Sequence, residues 1–452
     1  MNKAKMTAVM IFSAALLTLI FSGCSFRLSG INELLKPPKP YGTNDELQAA
    51  FEESVGGDVV FKAPVSGEFR SSFIVKDIDG DGSDEAIAFY SESSADTSVM
   101  ISLFNYKGGE WSYSLTVTGR GCDVYSVDFC DMNSDGKNEI IISWSLFDSK
   151  SNKMLSVYDF SDGGKDLTEI AAEMFTLKEL ADIDSDGDTE ILLLHLDSAS
   201  ENQTSVVKML KMTDGGSIKL ADKKYLDGNI SGYVSIKTDV AVDGRPLYIY
   251  VDATKGESQM ITEVIYWDDG AKELAVPMLD RDTLSNNASW RSVRLESRDI
   301  DGDGIIEIPA QTALAGDGAP RGKPDTTSLF YMTSWLRIED GEPVAVRQSF
   351  VNYSESVVFF IPFRLEGKIS VTELADLDKW DVYGPSKRGG GDEHLFSLIF
   401  TDKEVREQDG EVLFEGYDIL AEHGEKKVLV SDIPDGAPLD KKELAECVEY
   451  YV

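Results

Sequence analysis

The chain has 452 residues, of which 42% are hydrophobic and 27% are charged, values typical of a folded globular protein rather than a disordered one. This length exceeds what a single hydrophobic core supports, so we expect two or three domains. The net charge of −37 excludes nucleic acid and anionic lipid head groups as favoured partners, and it favours cations.

The N-terminus has the features of an export signal. Lys3 and Lys5 precede an apolar stretch over residues 6–21, which is too short to span a membrane. The small residues Ser22 and Gly23 then lead to Cys24. This arrangement resembles a bacterial lipoprotein signal, although Phe21 stands where such signals usually carry Leu, and an ordinary secretory signal is the alternative. The resemblance implies that residues 1–23 are removed, that Cys24 is lipidated, and that the protein is anchored on the extracellular face of the cell membrane.

Residues 24–56 are predicted to form a tether and a short helix. The proline-rich segment 36–40 favours a stiff, extended chain that holds the body away from the lipid surface. Thr43 and Glu46 form a capping box, and the apolar residues Leu47 and Phe51 follow at helical spacing.

An acidic loop flanked by apolar runs recurs four times after residue 57. Each loop has nine residues, and we number its positions from the first aspartate. Positions 1, 3 and 5 are Asp or Asn, position 6 is Gly and position 9 is Glu. The loops are residues 77–85 (loop 1), 131–139 (loop 2), 182–190 (loop 3) and 299–307 (loop 4).

A predicted β-hairpin is the second marker of the repeat. Its turns are Gly108-Gly109, Asp162-Gly163-Gly164, Asp214-Gly215-Gly216, Asp269-Gly270 and Asp340-Gly341. Five turns and four loops leave one repeat, around residues 234–250, with its strands but without its metal ligands. Four strands per repeat predict a mainly β fold, a β-propeller of about five four-stranded blades over residues 57–350. A stack of separate sheets is the alternative, but it would leave many open edges.

The loops suit a hard cation such as calcium. Alternating carboxylates supply several oxygen ligands, and glycine at position 6 lets the chain turn around the ion. An EF-hand begins in the same way but requires Glu at position 12, where this chain has Ala88, Ile142, Leu193 and Ala310. The sequence therefore predicts strand–loop–strand calcium sites. Acidic turns without metal are the alternative, but four matching loops disfavour it.

These loops resemble the FG-GAP or VCBS repeats of β-propellers, including those of integrin α-chains. The resemblance implies that up to four Ca²⁺ ions stabilise the fold. It implies carboxylate or amide ligands at Asp77, Asp79, Asp81 and Glu85; at Asp131, Asn133, Asp135 and Glu139; at Asp182, Asp184, Asp186 and Glu190; and at Asp299, Asp301, Asp303 and Glu307. It implies carbonyl ligands at Ser83, Lys137, Asp188 and Ile305. Family members often carry Asp at position 9, and integrin propellers have seven blades. The layout is also similar to that of surface lipoproteins of clostridia-type bacteria.

Residues 351–452 carry no acidic loop and are predicted to form a separate small α+β domain. A sixth blade over residues 351–400 is the alternative. A helix is expected over residues 441–450. We expect Cys122, Cys130 and Cys447 to be free thiols, although a tight turn between the first two would permit a disulfide.

No catalytic motif is evident, and no catalytic or cofactor residue is assigned. His195 is expected to be a packed strand residue, and neither His394 nor His423 has metal-motif spacing around it. Trp111, Trp267 and Trp335 lie beside hairpin turns, where they either pack between blades or stack on sugars. We therefore expect a non-enzymatic module that binds a protein or a glycan at the cell envelope. The alternatives are an enzyme acting on polysaccharide or peptidoglycan, which needs a carboxylate pair in a cleft, and a scaffold in an envelope complex.

Overall fold

The structure is a computed structural model, and the chain divides into two compact units. One contains the N-terminal helix and residues 107–113, and the other contains residues 58–106 and 114–452. The structure describes residues 44–452 except 57, 94–97, 162–165, 198–202, 240–243, 314–330, 375–376, 386–391, 403–413, 415, 432, 435–436 and 452. The predicted signal, Cys24 and most of the tether therefore lie outside the described residues.

Helix α1 (Asn44–Ser54) confirms the predicted N-terminal helix. Asp45 and Glu46 occupy its first turn, where negative charge stabilises the helix dipole. Leu47 and Phe51 are almost completely buried, as their spacing predicts. The other member of the capping box, Thr43, lies outside the described residues.

The rest of the described chain is mainly β, as expected, and its strands form antiparallel sheets in chain order. The first sheet contains β1 (Val60–Phe61), β2 (Phe73–Lys76), β3 (Glu85–Ser91), β4 (Met100–Lys107) and β5 (Glu110–Thr118). The second contains β6 (Asp123–Cys130), β7 (Glu139–Leu146), β8 (Ser149–Ser161) and β9 (Asp166–Phe175). The third contains β10 (Leu177–Ala181), β11 (Glu190–Asp197), β12 (Thr204–Met212) and β13 (Ile218–Leu226).

The fourth sheet belongs to the repeat without ligands. It contains β14 (Gly232–Thr238), β15 (Ile249–Lys255), β16 (Gln259–Asp268) and β17 (Glu273–Ala275). The fifth begins with β18 (Ile308–Ala313), β19 (Tyr331–Glu339), β20 (Glu342–Asn352) and β21 (Val357–Ile361). After a short 3-10 helix (Phe363–Leu365), the sixth contains β22 (Ser370–Leu374), β23 (Lys379–Pro385), β24 (Asp392–Thr401), β25 (Tyr417–His423) and β26 (Lys426–Ser431).

Each sheet shares a hydrophobic cluster with the next one along the chain. Ile87 of the first sheet packs with Ile142 of the second, and Ile141 of the second packs with Leu193 of the third. The same relation joins the third to the fourth, the fourth to the fifth, and the fifth to the sixth. A strand such as β3 is therefore buried along its whole length, which explains its unbroken run of small and apolar residues.

Four of the five predicted hairpin turns join paired strands, and the turn at residues 162–164 lies outside the described residues. Strand β20 crosses residue 350, where the sequence predicts a domain boundary. The division at residue 351 stays a prediction. Helix α2 (Lys441–Cys447) is shorter than expected, because residues Val448–Tyr450 form β27 and pair with β21. β-Branched and aromatic residues favour this extended ending.

Cys122, Cys130 and Cys447 are free thiols, as expected. Strand β6 separates the first two, and an extended strand of that length holds its ends too far apart for a disulfide. In the described part of the chain, no helix is both long and apolar enough to cross a membrane.

Candidate metal loops

The acidic loops occupy the same place in each repeat. Loop 1 joins β2 to β3, loop 2 joins β6 to β7, loop 3 joins β10 to β11, and loop 4 leads into β18. Neighbouring loops are in contact: the Asn138 N–H donates to the Ile78 carbonyl over 2.8 Å, and Ser134 Oγ donates to Asp188 Oδ1 over 3.0 Å. Loops 1 to 3 therefore form a continuous row at one end of the sheets.

The four loops share one backbone geometry. The carboxylate at position 1 accepts the N–H of the glycine at position 6, over distances of 2.8–3.1 Å. These glycines have φ between 85° and 97°, a region that side chains disfavour. The predicted requirement for glycine at this position is confirmed at Gly82, Gly136, Gly187 and Gly304.

The glutamate at position 9 is buried in all four loops, and it is the first residue of a strand in loops 1 to 3 and directly precedes β18 in loop 4. Its exposed fraction is 1% at Glu85, 3% at Glu139 and 0% at Glu190 and Glu307. One oxygen, Oε2, accepts the N–H of position 2 over 2.8–3.0 Å. The other oxygen then needs a separate partner, because an ionised carboxylate that is buried and unpaired is costly.

Three of the loops bring carboxylates close together. One oxygen from each of three residues lies within 4.8 Å of the others in loop 1 (Asp77, Asp79, Glu85), loop 3 (Asp182, Asp184, Glu190) and loop 4 (Asp299, Asp301, Asp303). Loop 2 carries the amide Asn133 at position 3 and forms no such carboxylate group among the described residues. At position 7, the N–H of Ser83, Lys137, Asp188 and Ile305 donates to the carboxylate at position 5, over 2.8–3.1 Å.

Loop 3 contains a basic side chain of its own. Lys211, on β12, places its Nζ 2.8 Å from Asp184 Oδ2 and 3.2 Å from Glu190 Oε1, and it also pairs with Asp186. Burial alone would lower the pKa of the Lys211 ammonium, but these three carboxylates raise it above its usual value. The lysine therefore stays charged and offsets part of the negative charge of the loop, next to Asp184, Asp186 and Glu190.

Loop 4 contains an arginine in the equivalent place. Arg337, on β19, pairs with Glu307 and lies 3.0 Å from Asp303 Oδ2 and 3.5 Å from Asp301 Oδ2. The strand register explains the equivalence. One residue beyond the Ile191–Leu210 pair, Glu190 faces Lys211, and one residue beyond the Ile308–Leu336 pair, Glu307 faces Arg337.

Loops 1 and 2 lack such a cation. Asn105 faces Glu85, and continuing the register by one residue places Asp159 opposite Glu139. In the described chain, no lysine or arginine forms an ion pair with the acids of either loop. Burial, with a smaller effect of neighbouring aspartates, raises the pKa of Glu85 and of Glu139 to about 7. Both glutamates therefore lack a positive partner.

In the repeat without ligands, a basic side chain of the protein also compensates the charge of the remaining acid, Asp239. Asp239 follows β14, where the other repeats have position 1. It pairs with Arg245, accepts the Tyr250 hydroxyl over 3.2 Å and accepts the Ile306 N–H over 2.8 Å. The structure therefore provides a basic partner where the sequence indicates a lost metal.

A buried ion pair joins strand β15 of the fourth sheet to the irregular segment 276–298, and no pattern in the sequence predicts it. Arg291 and Asp252 are both fully buried and lie 2.8 Å apart. Asp252 also accepts hydrogen bonds from Thr262 and Ser297. Because Arg291 lies in the irregular segment 276–298, a repeat pattern could not reveal its partner 39 residues earlier.

The C-terminal sheet contains one Ser–His–Asp cluster. His394 Nε2 lies 3.0 Å from Ser397 Oγ, but that hydroxyl donates to Asp381 over 2.5 Å. Ser397 is 2% exposed, and Lys379 also pairs with Asp381. The serine is thus buried and bonded to the acid, unlike a nucleophile that transfers its proton to histidine. His195 lies half-buried in β11, as expected, and burial lowers its pKa.

No known protein family matches this chain, and no curated protein matches it. The resemblance to FG-GAP and VCBS repeats therefore stays an expectation that rests on the loop residues.

Proposed function

We propose that this protein is a calcium-stabilised, propeller-like binding module of the bacterial cell envelope. Loops 1 and 2 bind the two tightest ions. Loops 3 and 4, which complete the expected set of four, are partly compensated by Lys211 and Arg337 and bind calcium only when those side chains move away.

The environment of Glu85 carries this proposal. Its carboxylate is buried and clustered with Asp77 and Asp79, and no basic side chain of the described chain forms an ion pair with the cluster. Oxygen ligands at this separation suit a hard cation with bond lengths of about 2.3–2.6 Å. A bound calcium ion would supply the charge that loops 3 and 4 obtain from within the protein.

The shared clusters between consecutive sheets support a propeller-like arrangement of blades. Five consecutive sheets at residues 60–361 follow the predicted repeat, and the sixth packs on the fifth in the same way, so closing the whole stack into a ring would remove the open faces at its two ends. The row of loops would then lie at one end of the ring, where calcium ties each blade to the next through contacts such as Asn138 to Ile78.

Lipidation at Cys24 would hold this module at the extracellular face of the membrane, with the surface of the sheets free to bind a protein or a glycan. The Ser–His–Asp cluster does not supply a serine nucleophile, because Ser397 is buried and bonded to Asp381.

Thermal unfolding of the purified protein in millimolar calcium, in magnesium and in EDTA tests the proposal. We expect calcium to raise the melting temperature by several degrees and magnesium to have little effect, because loops of this kind favour the larger ion. Equal melting temperatures in calcium and EDTA would contradict calcium stabilisation.

A further inference from the structure

Two departures from the repeat pattern meet at one place on the surface. One is the segment that begins at Asp239, after β14, in the repeat without ligands. The other is the irregular segment 276–298 between β17 and loop 4. In repeat proteins, insertions of this kind commonly form the binding face. Residues from both segments line two adjoining clefts beside the turn at Asp340-Gly341.

Buried hydrogen bonds fix the irregular segment in place. The Asn286 N–H donates to Asp227 Oδ2 over 2.9 Å, and the Asn286 side chain donates to Glu263 Oε2 over 3.1 Å. Asn286, Asp227 and Glu263 are all fully buried. The wall formed by residues 276–284 is therefore already ordered, which lowers the entropy cost of binding a ligand.

The two clefts have volumes of about 600 Å³ and 610 Å³ and share Tyr266, Asp268 and Gly341. Together they form one groove, which we call the Tyr266 groove. A side chain on Gly341 would place its Cβ 2.7 Å from the Tyr266 hydroxyl, and Gly341 has φ of 81°. Glycine therefore lets the turn pass close beneath the tyrosine. Each cleft has room for a small organic ligand, and two clefts that share a wall can hold a ligand extended across both.

Aromatic side chains are spread along the Tyr266 groove. Trp267 and Tyr266 are half-buried in it, and Tyr225 is 55% exposed at the far end. Tyr266 is supported by the Tyr248 ring, with ring centroids 5.0 Å apart. Such rings offer flat apolar surface at a low cost in side-chain entropy.

The groove is nearly neutral on a strongly acidic protein. Six acidic and four basic side chains line it, a net of −2 in a chain of −37. Several of these charges are already paired, including Lys224 with Glu273 and Arg245 with Asp239. Glu339, Asp340 and Glu342 form no ion pair with described residues, so their oxygens are available as hydrogen-bond acceptors.

We propose that the Tyr266 groove binds a neutral oligosaccharide. The C–H faces of its sugar rings pack on Tyr225, Tyr266 and Trp267, and its hydroxyls donate to the carboxylates at the turn. A strongly anionic glycan would meet repulsion from the surrounding charge, and a basic peptide would find only four acids without an ion pair among the described residues, namely Asp268 and the three at the turn. This inference deepens the proposed binding function by naming the site and the class of ligand.

The test titrates the purified protein with short neutral oligomers of glucose, mannose and N-acetylglucosamine, and with oligolysine and oligogalacturonate. Isothermal calorimetry reports binding, and tryptophan fluorescence reports contact with Trp267. We expect at least one neutral oligomer to bind, and Trp267→Ala and Tyr225→Ala each to weaken it by about tenfold or more. The control Phe147→Ala removes an aromatic ring that is 86% exposed outside the groove, and its affinity should equal that of the wild type.

Three results would overturn the groove proposal: oligolysine binding that depends on Trp267, neutral oligomers that fail to bind at millimolar concentration, or binding that Trp267→Ala leaves unchanged. Melting curves of the same variants separate this proposal from the calcium proposal. If the groove proposal alone fails, calcium still raises the melting temperature of every variant. If the calcium proposal alone fails, the oligosaccharide still binds, and calcium does not change the melting temperature of the protein.

Discussion

Loops 1 and 2 differ from loops 3 and 4 in how their negative charge is balanced. All four have the same glycine, the same backbone hydrogen bonds and the same buried glutamate. The residue facing that glutamate is Asn105 or Asp159 in the first two and Lys211 or Arg337 in the last two. A single strand position therefore distinguishes the loops whose glutamate faces a basic residue from the loops whose glutamate does not.

The difference extends from the loops to the sheets around them. The first two sheets have uncompensated loop acids, whereas the third to fifth contain several built-in cations, including Lys211, Arg245, Arg291 and Arg337. We therefore expect calcium to stabilise the N-terminal sheets and internal ion pairs to stabilise the later ones.

We expect the largest effect from breaking the buried ion pair between Arg291 and Asp252, neither of which belongs to an acidic loop. Arg291→Met should lower the free energy of unfolding by about 3 kcal/mol, because it removes the buried guanidinium that pairs with Asp252 and leaves only the half-buried Lys237, 3.3 Å from Asp252 Oδ2, as a positive partner. Chemical denaturation should give the same loss in calcium and in EDTA. The control Arg294→Met alters an exposed arginine on the same segment, and an equal loss in both variants would count against the role of the buried pair.

Removing an acid from loop 1 should have the next largest effect. Asp77→Asn should lose about 2–3 kcal/mol in saturating calcium, because stabilisation by a ligand at about 100 times its Kd is of that order. It should lose little in EDTA. The matched variant Asp182→Asn changes the same position in loop 3, and its loss should be the same with and without calcium.

Replacing the built-in cations should convert loops 3 and 4 into metal sites. Lys211→Gln should cost about 1–2 kcal/mol in EDTA and should increase the stabilisation by calcium, since Asp184 Oδ1 is buried without a hydrogen-bond partner among described residues. Lys208→Gln, on the same strand, removes a lysine that pairs with Glu173 away from the loop. A larger calcium response in Lys208→Gln than in Lys211→Gln would refute the assignment.

The pH dependence should be the smallest effect. The pKa of Glu85 and of Glu139 is about 7 in the folded protein and lower in the unfolded chain, so the folded state holds more protons between about pH 4.5 and 7. Without calcium, stability should therefore fall as pH rises through this window. Calcium binds the ionised form, so its affinity should rise from pH 6 to pH 8 with release of protons. Calorimetry in buffers of different ionisation enthalpy measures this release, and its absence would contradict the pKa assignment.

The sequence was sufficient to predict the local parts of the fold. Loop spacing and turn residues located the strands around Gly82 and Gly136 because both markers act within about ten residues. The helix at Leu47 and Phe51 was equally predictable from its spacing. The end of helix α2 was predicted less well, because Val448–Tyr450 pair with β21, some 90 residues earlier in the chain.

The partners of the loop glutamates could be recognised only from the register. Lys211 lies 21 residues after Glu190, and Arg337 lies 30 residues after Glu307, because the two hairpins differ in length. Position relative to the glycine turn would have been a usable signal, since each basic residue lies three positions before the aspartate of that turn, Asp214 or Asp340. Arg291 and Asn286 had no such signal, because an irregular segment has no period from which a partner can be inferred.

The number of calcium ions bound per protein tests the central claim most directly. Native mass spectrometry or equilibrium dialysis at moderate calcium should find two ions on the wild type and up to four on the double variant Lys211→Gln/Arg337→Gln. Four tight ions on the wild type, or the same number on both proteins, would contradict the claim that Lys211 and Arg337 stand in for the metal.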